Sequence, residues 1–468
     1  MKTVNKLWVI ALAILFSMNV SAQLRLPSIF ASNMVLQQKA KVSFWGWATP
    51  LEEVTIITGW DNKEFRAKSL AGTGKWQVTF ETPAAGGPYT LTVKGNYSKL
   101  NLENILIGEV WLCSGQSNMQ WQAAAGIEHG PEEIAKANQP KIRLYNIPRN
   151  AADYPQQDCL GSWTECAPET MKNFCAIGYF FGRRLQEDLN VPIGLISSSW
   201  GGSPIEIWMK ESLVNSDENL KRDAATRQPE WSPVKPGAAY NTMIYPLLSL
   251  PIAGTIWYQG ESNVGYSNTY GVLMKKLIDS WRADWNIDFP FYYVQLAPCH
   301  YNGSNYNAAL IREQQTKALQ NPKTGMVVIT DLVSDTNNIH PKNKIDVGIR
   351  LANLALMDTY GKSSIQGKSP IFKSMTIEKN KVKLTFDKVS KGFKVNGKEI
   401  SGFMVAGEDQ KFVPAKAKIE GNTIVLFARE IKSPVAVRFG FANAAIPNLF
   451  SAEGLPVCPF RTDEWEVK

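Results

Sequence analysis

Ser117 lies in Ser114-Gly-Gln-Ser-Asn118, directly after an apolar run that begins at Ile105. An apolar run cut off by small and polar residues reads as a buried strand entering a tight turn. A serine on such a turn stands at the carboxyl edge of a sheet, where α/β proteins place their chemistry. Its hydroxyl is a candidate nucleophile, and the bland alternative is a turn that merely joins strand to helix. A serine hydroxyl is weak at neutral pH unless a base takes its proton, and histidine is the usual base. Only His129, His300 and His340 are present. His129 sits in a polar loop and His300 follows another apolar run. His340 follows a predicted strand, precedes a helical pattern and has carboxylates near by, so it is the first choice and His300 the second.

Two further loops carry groups suited to a developing negative charge. Gly201 and Gly202 follow the apolar run 191–198, and a glycine lets a backbone N–H approach a ligand closely, as an oxyanion hole requires. Gln259 follows the run 252–258, and its side-chain amide is a donor for the same charge. Read singly, each is an ordinary loop residue. Read together, they converge if their strands share one parallel sheet.

The elements that must position them follow from periodicity. Strands are predicted at 105–114, 191–198, 252–258, 289–296 and 325–331. Between them and after them, 176–189, 270–285 and 343–360 place apolar residues on one helical face, as Ile177, Phe181, Leu185 and Leu189 do. Strand alternating with helix predicts parallel strands with right-handed crossovers, an α/β/α layer structure. Short β-branched and aromatic runs separated by Gly, Pro and Asn turns precede and follow it. The N-terminal set (41–48, 54–58, 75–80, 89–93) predicts a small sandwich, and the C-terminal set (374–377, 381–386, 424–427, 435–439) a second β module. The expected division is 1–22, 23–104, 105–360 and 361–468.

Residues 1–22 read as a cleaved export leader. Lys2 and Lys6 form a basic start, an apolar core follows, and Val20-Ser-Ala22 is a small-residue cleavage pattern. No later segment is long and apolar enough for a membrane span, so the expectation is an exported protein, periplasmic or extracellular. Without the leader, 48 basic residues face 42 acidic ones, a mild excess with no long basic run, which gives nucleic-acid binding little support. No C-x-x-C pair appears and only three histidines exist to join a metal cluster, so a zinc site is not expected, and no cofactor is implied. Cys159, Cys166 and Cys175 are close enough in sequence that an exported chain could pair two of them.

With these residues assembled, the chain resembles the SGNH hydrolase superfamily and, within it, the sialate O-acetylesterase family. The resemblance rests on the blocks 108–119, 191–208, 256–263 and 339–344, and covers about residues 105–360. It implies an SGNH-type three-layer domain flanked by β-sandwich-like modules, and a serine esterase that removes acetyl groups from sugar hydroxyls. Ser117 would be the nucleophile and His340 the base, with an oxyanion hole from the Ser117 and Gly202 backbones and the Gln259 side chain. Many such enzymes carry an aspartate three residues before the histidine, where this chain has Asn337. Asp335 is the nearest carboxylate candidate, and a Ser–His dyad oriented by a backbone carbonyl is the alternative. Arg312 is a candidate for a sugar carboxylate, against the plainer reading of a helix-surface arginine. Acetylated sialic acid is the expected substrate, acetylated xylan the second. A non-catalytic carbohydrate-binding protein, suggested by the β modules and 50 aromatic residues, leaves the converging loops unexplained.

Overall fold

The computed structural model describes residues 24–467; the leader expected at 1–22 lies outside the described residues. Its spine is the strand Lys99–Gly115, whose last eleven residues are all buried. A strand covered on both faces reads as a continuous apolar run, because helices rather than water meet each side. Successive side chains still point to opposite faces. Val110 and Leu112 enter one core, and Trp111 and Cys113 the other.

Across the main sheet the strands run Thr324–Val327, Phe291–Val294, Gly254–Tyr258, Lys99–Gly115, Ile193–Ser199, Gln139–Asn146 and Ser162–Cys166. Every neighbouring pair is parallel except the last. From the spine the chain lays down the two outer strands on one side and returns to fill the place beside the spine with Ile193–Ser199, then crosses and builds outward on the other side. The carboxyl end of the spine is therefore the switch point, where open α/β sheets bind ligands.

The five predicted strands are all present, with ends shifted by a few residues. Two strands, Gln139–Asn146 and Ser162–Cys166, were not anticipated. Lys141 and Arg143 break the apolar pattern of the first, yet Arg143 is buried and its guanidinium lies 3.2 Å from Glu165 on the second. The cross-strand partner that makes the arginine tolerable is more than twenty residues away, so no local window shows it.

The predicted helices appear as Ala176–Leu189, Ser267–Trp285 and Ile345–Asp358. The first and third cover one face with Ile177, Phe181, Leu185 and Leu351, and the second covers the other with Leu273, Leu277, Ile278 and Trp281. A fourth helix, Asn307–Lys317, carries no apolar periodicity and was implied only by the plainer reading of Arg312 as a helix residue. It is mostly polar, because it packs between the sheet and the C-terminal module rather than facing water on one side.

In the N-terminal region, Lys41–Trp47 pairs with Lys75–Glu81. It packs over a sheet of Glu53–Thr58, Glu64–Lys68 and Gly86–Lys94. Gly86–Lys94 pairs directly with the first part of the spine, so residue 104 falls inside one strand shared by sandwich and main sheet. The C-terminal module has two four-stranded sheets and a two-stranded one over its own core. It packs on the α/β layer: the Arg461 guanidinium donates twice to the Glu313 carboxylate, at 3.1 and 3.0 Å, and Asn443 bonds to Ala308 and to Ser304.

The possible disulfide among Cys159, Cys166 and Cys175 does not form; all six cysteines are buried thiols. The three occupy separate places, Cys159 against the Tyr145 hydroxyl, Cys166 towards Ala137 and Cys175 beside Met119. No helix among the described residues is long and apolar enough to cross a membrane.

Candidate active site

Gly115 ends the spine at φ +137°, and a Cβ there would lie 2.1 Å from the Tyr258 carbonyl oxygen. Only glycine permits that conformation with a neighbouring strand so close. The next residue, Gln116, clips the turn to the loop after Gly254–Tyr258. Its backbone N–H donates to Tyr258, and its side-chain oxygen accepts from the Gly260 and Ser262 N–H groups. Ser117 then starts the one-turn helix Ser117–Gln120, and its Oγ lies 2.9 Å from His340 Nε2. The two candidates chosen from sequence are thus in hydrogen-bond contact across 223 residues. His129 and His300 are exposed and bond to neither.

His340 is positioned by stacking and backbone contacts. Its ring stacks on Trp121, with centroids 4.4 Å apart, and its backbone N–H donates to Asn338 Oδ1. Burial, and then the charge of Lys344, lower its pKa to about 4. Among the described residues no carboxylate hydrogen-bonds to the ring. Asp335, the candidate third member, instead accepts from the Asn337 backbone and side-chain N–H groups at 2.9 and 3.2 Å. That caps the turn leading to His340 and spends the carboxylate oxygen locally, so Asp335 is corrected to a turn residue. Asp331, the other nearby acid, is bound by Arg350.

Behind the pair lies a network that sequence reasoning did not single out. Asn118, fully buried, donates to Glu261 Oε1 at 2.5 Å and to the Ile339 carbonyl at 3.0 Å. It also accepts from Lys344 Nζ at 2.5 Å. One side chain therefore ties the residue after Ser117 to the residue before His340. Burial pulls the Lys344 ammonium down to about 7, opposed by Glu261, and pushes the Glu261 carboxyl up, opposed by the Asn118 bond and Lys344. Each of the three stands inside a block already quoted for the resemblance, but only the folded chain shows that they meet.

Gly202 sits at φ +75°, facing Trp231, whose Cβ would be 2.4 Å from a Cβ at that position. The Gly201 N–H is taken by Gln120 Oε1 at 2.7 Å. The Ser117 and Gly202 N–H groups meet no acceptor among the described residues, and both residues line a cavity of about 440 Å³ with His340. Two backbone donors beside a nucleophile are the arrangement that stabilises a tetrahedral oxyanion.

Gln259 is not a third donor to that cavity. It is fully buried, and its amide nitrogen donates to the Ser203 carbonyl at 3.3 Å and to Asn263 Oδ1 at 2.7 Å. Asn263 in turn accepts from the Ile205 N–H and donates to Glu206. Gln259 thus braces the Gly202 loop from behind. Arg312 also needs correction. It is 1 % exposed, on the helix that joins the C-terminal module, and its guanidinium donates to the Ala442 and Asn443 carbonyls. The arginine that does line the cavity is Arg149. It is exposed and has no acidic partner among the described residues, in a polar stretch whose pattern carries no signal.

Residues 107–357, more than half of the chain, match the family described as carbohydrate esterase, sialic acid-specific acetylesterase. The human sialate O-acetylesterase is 31% identical over 387 residues, 74% of this chain and 73% of that protein. The rat sialate O-acetylesterase is 30% identical over 427 residues, 78% and 79% of the two chains. The crystal structure of a carbohydrate acetylesterase from Xanthomonas citri superposes with a TM-score of 0.87 at 37% identity. It covers 94% of this chain and 100% of that one. This chain belongs to the carbohydrate esterase family of sialic acid-specific acetylesterases.

Proposed function

We propose that the protein removes O-acetyl groups from sialic acids through an acetyl-enzyme on Ser117. The observation that carries this is the 2.9 Å Ser117–His340 contact inside a cavity that also presents two unspent backbone N–H groups. Ser117 Oγ attacks the acetyl carbonyl carbon while His340 Nε2 takes its proton. The carbonyl oxygen becomes an oxyanion held by the Ser117 and Gly202 N–H groups. Collapse breaks the bond to the sugar oxygen, which receives the proton from His340. Water then attacks the acetyl-enzyme by the reverse proton route and releases acetate.

His340 is held by the Trp121 stack and the Asn118 network, so Ser117 and His340 act as a dyad. The lowered pKa keeps the imidazole neutral, hence able to accept a proton, well into acid. Arg149 is the group for a sugar carboxylate, since an unpaired guanidinium on the cavity wall favours an anionic ligand. Comparing kcat/KM on O-acetylated sialic acid with that on acetylated xylo-oligosaccharides tests the substrate class; a preference for the neutral ester overturns it. The export leader read at residues 1–22 supports action outside the cytoplasm, and finding the full-length chain uncleaved in the cytoplasmic fraction of its native cells would refute export.

A further inference from the structure

The catalytic cavity does not end at Trp231. A second cavity of about 300 Å³ begins there, and the two share Gly202, Trp231 and Ser262 as walls. Trp231 is 73% exposed. It is nonetheless seated, with its backbone carbonyl accepting from Trp200 Nε1 at 3.3 Å and its Cβ pressed on Gly202. An exposed indole that borders two cavities offers apolar ring surface to both, which suits the faces of sugar rings.

The floor of the second cavity is preformed. The Arg227 guanidinium donates to Glu206 at 2.8 Å and to the Ser262 carbonyl at 2.5 Å, and lies 3.8 Å over the Tyr266 ring. Its side chain is 6% exposed and its ion-pair partner fully buried, so its charge is already matched inside the protein. Gln228 and Glu230 are different. Both are exposed on the wall of this cavity, and neither side chain has a hydrogen bond or ion pair among the described residues. An amide and a carboxylate with unspent acceptors beside an aromatic face suit the hydroxyl groups of a neutral sugar. The carboxylate disfavours a second anion here, while Arg149 favours one in the catalytic cavity.

We infer that the second cavity is a subsite for the neutral sugar next to the acetylated one, so that the enzyme takes its acetylated residue while it is still part of a glycan. This rests on the sialate esterase reading above. The test compares kcat/KM on O-acetylated N-acetylneuraminic acid, free and linked to lactose, with the native protein and with the double variant Gln228→Ala, Glu230→Ala. Expressing the result as a ratio within each preparation removes differences in folded fraction. The native enzyme is expected to favour the linked form by about tenfold, the value of one or two hydrogen bonds, and the double variant to bring the ratio close to unity. Equal rates on the two forms in the native enzyme overturn the subsite and leave the esterase reading standing. A preference that survives the double substitution overturns the assignment to this cavity. Turnover of acetylated xylo-oligosaccharides with neither sialoside cleaved overturns the substrate reading and the inference together.

Discussion

At the scale of single residues, the site concentrates its chemistry in few groups. Ser117→Ala removes the only proposed nucleophile, and acetyl-ester hydrolysis is expected to fall by about 10⁴-fold or more, read with a chromogenic acetate. Arg149→Ala is expected to lower kcat/KM on O-acetylated sialic acid by about tenfold, the worth of one charge-assisted contact, and to act through KM. Steady-state kinetics on a neutral acetyl ester should show no such change. The pH profile follows from His340, whose pKa is lowered to about 4 by burial first and the Lys344 charge second. The acid limb of kcat/KM should accordingly lie near pH 4, below that of an ordinary histidine. Lys344→Met removes the second cause, and the limb should move upward. The linkage sign is the same for stability. Between the ordinary value of 6.5 and about 4 the unfolded chain binds the His340 proton and the folded chain does not. Stability should therefore decline as pH falls through that window.

At the scale of elements, catalysis depends on turns braced from behind. The Gly202 loop is held by Gln259 and Asn263, and the turn before His340 is closed by Asp335. Gly202→Ala places a side chain at φ +75° and 2.4 Å from Trp231. Moving the Gly202 N–H is expected to lower kcat by about 10²-fold, with the circular dichroism spectrum and melting temperature showing whether the fold is retained. The strands and helices that carry these turns were legible where they were long and periodic, as with Ala176–Leu189. The helix Asn307–Lys317 was not, because both of its sides meet protein and its inward face contains Arg312 and Gln315. Periodicity reports burial by apolar atoms, and a helix buried through hydrogen bonds leaves no such trace.

At the scale of the whole molecule, the β modules are continuous with the catalytic layer. The spine strand joins the first, and the helix bearing Arg312 and Glu313 joins the second. Arg312→Ala should leave two buried carbonyls without their donor and cost about 2–3 kcal/mol of stability. Thermal unfolding reads this as a lower melting temperature, while KM for the sialate remains as in the native enzyme. An arginine that bound substrate would give the opposite pattern.

The sequence by itself determined the layer order, the strand behind each functional loop, and the pairing of Ser117 with His340. Each of these is written locally, in an apolar run ending at small residues or in the scarcity of histidine. Tertiary structure alone decided which polar side chains face the cavity. Asp335, Gln259 and Arg312 all had the right chemistry, but one Asp335 oxygen is taken by the Asn337 side chain and backbone, the Gln259 amide nitrogen by Ser203 and Asn263, and the terminal Arg312 nitrogens by the C-terminal module. Arg149, Trp231 and the Asn118–Glu261–Lys344 network took the places beside the reacting groups. A polar group is free to act only if nothing nearer satisfies it, and the nearest partner is a property of the folded chain.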